Sequence, residues 1–161
     1  MLSEAKKLVG WGFAAHWLAE KSKSPINKGW STAEVKTFSA LKESYRKGCN
    51  LGIRLGSPSD VGGGYLHVID VDIRKPEFEE EAMLALEEIL AGVSIETLPC
   101  VKSGSGGPSK HFYITLDQAL NSKTIITSQE KFVGEEGRKH FIWEIELFGT
   151  GKQVVVPPSI H

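Results

Sequence analysis

Two acidic residues, Asp70 and Asp72, lie in the apolar run at 65–72, which reads Tyr-Leu-His-Val-Ile-Asp-Val-Asp. The valines and the isoleucine beside them favour a β-strand. On a strand, residues i and i+2 project from the same face, so the two carboxylates would lie roughly 6–7 Å apart along it. Hard divalent cations such as Mg²⁺ and Mn²⁺ prefer oxygen ligands and would neutralise neighbouring carboxylates. The run therefore predicts a metal-binding strand, although two acids at the end of a strand can also be solvated or cap a helix.

A glycine-rich segment at 103–111 reads Ser-Gly-Ser-Gly-Gly-Pro-Ser-Lys-His and directly precedes a predicted strand. Glycines let the backbone approach a ligand closely, and successive N–H groups can form an anion-binding nest. Ser109, Lys110 and His111 add hydroxyl, ammonium and imidazole donors, which suit phosphate oxygens. The segment indicates a phosphate-binding loop, with an ordinary flexible loop as the alternative; the Gly-Lys-Ser/Thr ending of a Walker A loop is absent.

A second acidic pair, Glu144 and Glu146, alternates with apolar residues in the run at 141–148. The alternation places both carboxylates on one face of a predicted strand, as it does for the aspartates. Taken alone, this pattern is also typical of an exposed strand face with two ordinary acids. Lys152, just beyond, could contact a phosphate or balance the charge.

The composition is that of an ordinary soluble protein, with 161 residues, 40% hydrophobic and 24% charged. This length predicts one compact domain. No run approaches the length of a membrane span, and the N-terminus lacks the apolar core of a signal peptide, so a cytoplasmic protein is expected. The formal net charge of −1 argues against avid non-specific nucleic-acid binding by this chain alone, although a near-neutral total can hide a basic face.

Local patterns predict the elements that must position these residues. Helices are expected at 3–9, from a capping box of Ser31 and Glu34 towards Arg46, and from Pro76 to Gly92. Strands are expected at 13–18, 51–55, 65–72 and 111–116, while 117–138 is weakly patterned. The runs 141–148 and 153–156, joined by a turn at 149–151, predict a β-hairpin.

Taken in order, these pieces resemble the archaeo-eukaryotic primase superfamily, and specifically the primase–polymerase (prim-pol) domains of plasmids, phages and mobile elements. The three motifs of that family are hydrophobic-Asp-x-Asp, Ser-x-His and hydrophobic-Asp/Glu, and they match residues 69–72, 109–111 and 145–146. Further similarity lies in Lys-Ser-Pro at 23–25, Gly-Trp at 29–30, and the segments 50–56 and 153–159. The last of these selects Glu146 over Glu144. In contrast to the usual family pattern, three residues separate the Gly-Gly pair from His111.

The resemblance implies an α/β fold, with an RNA-recognition-motif-like catalytic sheet packed with a smaller N-terminal α/β module. It also implies a single prim-pol catalytic domain over 1–161, truncated at its C-terminus from a longer replication protein. The activity expected is that of a DNA primase/DNA polymerase, a template-directed nucleotidyltransferase that uses dNTPs or NTPs. The implied partners are a DNA template, a primer and a helicase domain or protein, with no membrane.

The resemblance further implies a two-metal mechanism with Mg²⁺ or Mn²⁺ bound by Asp70, Asp72 and Glu146. The incoming nucleotide would be held by a set of polar residues and one glycine: Ser103, Gly106, Ser109, Lys110, His111, Arg54 and Lys152.

Two other functions compete with this interpretation. In a catalytically silent nucleotide- or nucleic-acid-binding module of a replication protein, the same acids would merely be solvated. A metal-dependent nuclease or rolling-circle initiator would need a His-x-His metal pair beside a nucleophilic tyrosine, and the sequence contains no His-x-His.

Overall fold

The structure is a computed structural model, and it describes residues 1–104 and 107–160. Within them lie three α-helices, α1 (Leu2–Gly10), α2 (Phe38–Ser44) and α3 (Glu79–Ile89), and two 3-10 helices, Pro76–Phe78 and Ile95–Thr97. The strands are β1 (Ala14–Leu18), β2 (Asn50–Arg54), β3 (Tyr65–Ile73), β4 (Cys100–Lys102), β5 (Lys110–Leu116), β6 (Lys123–Thr127), β7 (Lys131–Val133), β8 (Lys139–Phe141), β9 (Trp143–Phe148) and β10 (Gln153–Val155). This content confirms a mixed α/β fold.

The strands form three sheets. One has the order β4-β5-β3-β9-β6, a second has the order β1-β2-β10, and β7 pairs with β8. The pairs β1–β2, β2–β10, β4–β5, β6–β9 and β7–β8 are antiparallel. The chain divides into two compact units, the first of Met1–His67, Thr115–Ser122 and Phe148–His161, and the second of Val68–Ile114 and Lys123–Leu147.

The first unit is built on β2, which lies between β1 and β10 and is buried along its whole length. Leu51 and Ile53 supply apolar core, and each such side chain stabilises the fold by about 2 kcal/mol when fully buried. Between them, Gly52 faces two polar side chains. A Cβ at Gly52 would lie 2.6 Å from Gln153 Oε1 and 3.0 Å from His16 Nε2, so a larger residue there would require the Gln153 side chain to move.

The second unit contains most of β3, with its core supplied by strand and helix residues. Val71 and Ile73 are buried on β3, and Ala82 and Leu86 are buried on α3. The predicted Asp-x-Asp strand is thus confirmed. The predicted helix after it begins as a 3-10 turn at Pro76, because proline lacks an N–H but fits the first helical position.

The predicted start of the second helix, at Ser31, is wrong. The helix α2 begins at Phe38, and the side chain of Thr37 caps it by accepting a hydrogen bond from Ala40 N. The carbonyl oxygens of Ser31 and Ala33 accept instead from the Arg54 guanidinium, at 2.8 and 2.7 Å. Two long-range hydrogen bonds therefore replace the local capping box.

The predicted C-terminal hairpin is also wrong. Strand β9 lies between β3 and β6 in the five-stranded sheet, whereas β10 pairs with β2 in the three-stranded sheet. A turn does form, with Lys152 N donating to Gly149 O. The backbone of this turn, however, makes hydrogen bonds with residues far away in the sequence: Thr150 N donates to Leu120 O, and Leu55 N donates to Lys152 O. These long-range bonds direct β10 away from β9.

The weakly patterned stretch 117–138 contains two strands that local patterns do not predict. Strand β6 is an edge strand of its sheet and is largely exposed, so its side chains show no apolar alternation. Strand β7 has only three residues. Among residues 1–104 and 107–160, each helix is too short or too polar to cross a bilayer.

Candidate active site

Four carboxylates occupy one face of the neighbouring strands β3 and β9. Asp70 and Asp72 are half-buried and alternate with buried Val71, and Glu144 and Glu146 alternate in the same way with buried apolar residues. Strand β9 lies beside β3 in the sheet. We call these four residues the carboxylate face. The predicted same-face geometry of each pair is confirmed, and the sheet order brings the two pairs to adjacent strands.

His111 contacts this face from β5, which flanks β3 on the edge opposite to β9. Its Nε2 is 3.0 Å from Oδ1 of Asp70. The two side chains are 19% and 14% exposed, so each keeps a small opening to solvent. The structure therefore brings together residues from the first two predicted motifs.

Ser109 fixes the end of β3 from within the fold. Its side chain is buried, and its Oγ accepts a hydrogen bond of 2.8 Å from Ile73 N. The hydroxyl proton faces both Oδ1 of Asp72 and the carbonyl of Ile73, each at 3.3 Å, and a hydroxyl can donate to one of them at a time. Ser109 thus orients the Asp72 side chain and also satisfies the backbone N–H of Ile73.

Arg74 is a site residue that the motifs did not predict. Its guanidinium lies 2.7 Å from Oδ2 of Asp72 and 3.1 Å from Oε2 of Glu144, so it bridges the two strands. It follows Asp72 by two positions, and the same-face rule that paired the aspartates would have found it.

Burial and neighbouring charges both shift pKa values on the carboxylate face. Burial raises the pKa of Asp72, the negative charges of Asp70 and Glu144 add to that shift, and Arg74 and Ser109 only partly oppose it. For Arg74, burial acts to lower the pKa, but the hydrogen bond with Glu144 and the surrounding carboxylates outweigh it and raise the pKa. The carboxyl groups of the face therefore outnumber the Arg74 guanidinium, which pairs with two of them.

An excess of carboxylate oxygens is the donor set that a hard divalent cation prefers, so the chemistry of the face fits Mg²⁺ or Mn²⁺. In the described part of the chain, however, no three acidic, histidine or cysteine side chains converge in a ready-made ligand cluster. Asp72 uses one oxygen for Ser109 and the other for Arg74. Metal binding would therefore require some of these side chains to turn.

The remaining predicted residues of the second unit surround the β4–β5 hairpin. Ser103 N donates to Ser109 O at 2.9 Å, which closes the loop between the strands. Lys110 Nζ is 2.7 Å from Glu79 Oε1, at the first residue of α3. Gly106 lies outside the described residues.

Two predicted residues, Arg54 and Lys152, belong to the first unit. Arg54 is buried, and its guanidinium holds the backbone of 31–33 through the two hydrogen bonds described above. Lys152 Nζ lies over the ring of Phe148, 4.8 Å from its centroid. Both contacts stabilise this unit locally, and a role for either side chain in nucleotide binding stays a prediction.

No individually curated protein matches this sequence significantly. A family described as "bifunctional DNA primase/polymerase, N-terminal" does match, over residues 5–161. That range covers all three motifs and nearly the whole chain, in agreement with the resemblance found in the sequence. The chain therefore belongs to the Prim-Pol family, that of the N-terminal domain of bifunctional DNA primase/polymerases.

Proposed function

We propose that this chain is a DNA-directed primase/polymerase that transfers nucleotides from dNTPs or NTPs to a growing strand on a DNA template. The carboxylate face supports this proposal, because the strand that carries Asp70 and Asp72 neighbours the strand that carries Glu146, and His111 lies 3.0 Å from Asp70. Membership in the Prim-Pol family supplies the reaction class.

Asp70, Asp72 and Glu146 would hold two divalent ions, either Mg²⁺ or Mn²⁺. When bound, such ions supply Lewis-acid stabilisation of the attacking hydroxyl and of the leaving pyrophosphate. The protein itself would contribute by holding the carboxylates in position on rigid strands. Because these strands lie inside a sheet, positions along them are held more firmly than on a loop.

His111 would contact the triphosphate of the incoming nucleotide, because it opens β5 at the rim of the carboxylate face. Ser109 is also proposed as a nucleotide-binding residue, and in the metal-free protein its hydroxyl orients Asp72. Lys110, Ser103, Gly106, Arg54 and Lys152 are proposed as further nucleotide-binding residues. For Lys110 this role requires it to exchange its part-buried ion pair with Glu79 for one with the nucleotide.

At the level of the fold, we take the five-stranded sheet to be the RNA-recognition-motif-like catalytic sheet of the primase superfamily. The smaller N-terminal α/β module would correspond to part of the first unit. The family description as an N-terminal domain supports a place in a longer replication protein. A helicase domain or protein is proposed as its functional partner. We expect the protein to act in the cytoplasm.

A catalytically silent nucleotide- or nucleic-acid-binding module is the second candidate. The observation that favours it is Arg74, which already pairs with Asp72 and Glu144. Such a module would bind nucleotides or DNA without incorporating them.

The deciding experiment is incorporation of labelled dNTPs and NTPs on a DNA template, with Mg²⁺ or Mn²⁺, with an EDTA control, and with or without a primer. We expect product from the unaltered chain and none from Asp70→Asn or Asp72→Asn. The exposed Asp117→Asn is the matched control and should keep full activity.

Product formed equally well by the Asp70→Asn protein would overturn the proposed catalytic role of the carboxylate face. Absence of product from the unaltered chain, together with measurable nucleotide or DNA binding, would establish the silent module. The lanes without primer would show whether the chain initiates strands.

A further inference from the structure

Arg74 is fixed in place by both its backbone and its side chain. Its N donates to Ile142 O at 2.9 Å, and its Nη1 donates to Phe141 O at 3.1 Å. The same Nη1 donates to Glu144 at 3.1 Å, while Nη2 reaches Asp72 at 2.7 Å. The Arg74 side chain is 27% exposed, so solvent screens its charge only partly.

The guanidinium takes up the same oxygen atoms that a divalent ion would need. Oδ2 of Asp72 is occupied by Arg74, and Oδ1 faces Ser109. A planar guanidinium and a hard metal ion both satisfy carboxylate lone pairs, and they repel each other when they share one carboxylate. Binding of a divalent ion and the ion pair between Arg74 and Asp72 therefore oppose each other.

The proposed function requires a divalent ion on this face, and the following inference rests on it. We propose that Arg74 is an internal counter-cation, which holds Asp72 and Glu144 in the metal-free protein and which a divalent ion must displace from Asp72. Arg74 thereby weakens metal binding and stabilises the carboxylate face when no metal is bound. It is a positioning residue, because it acts through the metal ligands.

The first test is direct metal binding without nucleotide or DNA, measured by calorimetric titration of the full chain with Mn²⁺. We expect Arg74→Gln to bind Mn²⁺ about tenfold more tightly than the unaltered chain, because a positive charge beside the ligands is gone. Arg138→Gln removes the same charge from an exposed position of the same unit and should leave the affinity unchanged.

A second measurement uses the unaltered chain and so does not depend on how a variant folds. An arginine-specific dicarbonyl reagent such as phenylglyoxal is applied with and without Mn²⁺, and modified peptides are quantified by mass spectrometry. Displacement from Asp72 should increase the modification rate of Arg74 several-fold on addition of Mn²⁺. The rate at exposed Arg138 should stay constant.

The outcomes separate this inference from the proposed function. One outcome is Mn²⁺ binding that depends on Asp70 and yet is neither tightened by Arg74→Gln nor accompanied by higher reactivity of Arg74. This result would overturn the proposed counter-cation role of Arg74 and leave the proposed function intact. Absence of Mn²⁺ binding to both the unaltered chain and Arg74→Gln overturns the proposed function and this inference together. Tighter binding with increased reactivity supports both.

Discussion

Nε2 of His111 lies 3.0 Å from Oδ1 of Asp70, and the two residues belong to neighbouring strands of one sheet. The contact places a nitrogen that can donate to phosphate beside a carboxylate that can bind metal. Arg74, which directly follows β3, pairs with Asp72 and with Glu144 of β9. Nitrogen donors therefore contact the carboxylate face from β5 and also between β3 and β9.

The first prediction concerns His111. In His111→Ala the imidazole beside Asp70 is lost, and we expect nucleotide incorporation to fall at least tenfold, mostly through a higher KM for the nucleotide. The side chain is 19% exposed and pairs with Asp70, so a lower unfolding temperature is also expected, and incorporation is compared at a temperature at which both proteins are folded. Steady-state incorporation assays with varied dNTP concentration would measure this, with His140→Ala as the control. An unchanged KM would show that His111 does not contact the nucleotide.

The second prediction concerns Ser109 and stability. Ser109→Ala leaves the buried Ile73 N–H without its acceptor, so unfolding in urea should require about 1–3 kcal/mol less free energy. Ser57→Ala removes an exposed hydroxyl and should be neutral. Equal unfolding midpoints for the two variants would contradict the buried hydrogen bond.

The third prediction concerns the conflict between function and stability at Asp72. Its folded-state pKa is raised, mainly by burial, so the ionised carboxylate makes the folded state less stable at neutral pH. This penalty disappears as the pH falls through the folded pKa. Asp72→Asn should therefore unfold at a higher urea concentration than the unaltered chain at pH 7 without metal.

The same substitution should abolish any rise in unfolding temperature on addition of Mn²⁺, because a ligand is lost. Thermal unfolding with and without metal would measure this, and Asp117→Asn serves as the exposed control. A lower urea midpoint for Asp72→Asn would mean that pairing with Arg74 outweighs the burial of the charge.

The fourth prediction concerns acid sensitivity through His16. Burial lowers the pKa of His16 from 6.5 to about 4, with help from the charges of Arg54 and Lys36 and against the effect of Gln153. In the unfolded chain, the His16 side chain takes up a proton as the pH falls through about 6.5. In the folded chain, the same side chain stays neutral until about pH 4. Stability is therefore complete above this window and falls by about 3 kcal/mol across it.

Urea unfolding at several pH values between 7.5 and 4.5 would test this. We expect His16→Gln to show a flatter dependence on pH than the unaltered chain. Identical slopes for the two proteins would remove His16 as the origin of acid sensitivity.

The sequence by itself determined which side chains share a face. Asp70 with Asp72, and Glu144 with Glu146, lie on common faces because side chains on a strand alternate with a period of two, a property of the local backbone. The position of Ser109 and His111 at the start of a strand followed from the glycines before them.

Only the tertiary structure decided which strands are neighbours and which hydrogen bonds replace local ones. The contact of His111 with Asp70, and the bridge that Arg74 makes to Glu144, depend on β5 and β9 flanking β3. Similarly, β10 pairs with β2 and not with β9, although a glycine turn precedes it. Strand pairing reflects the burial and bonding of segments distant in sequence, and no local pattern carries that information.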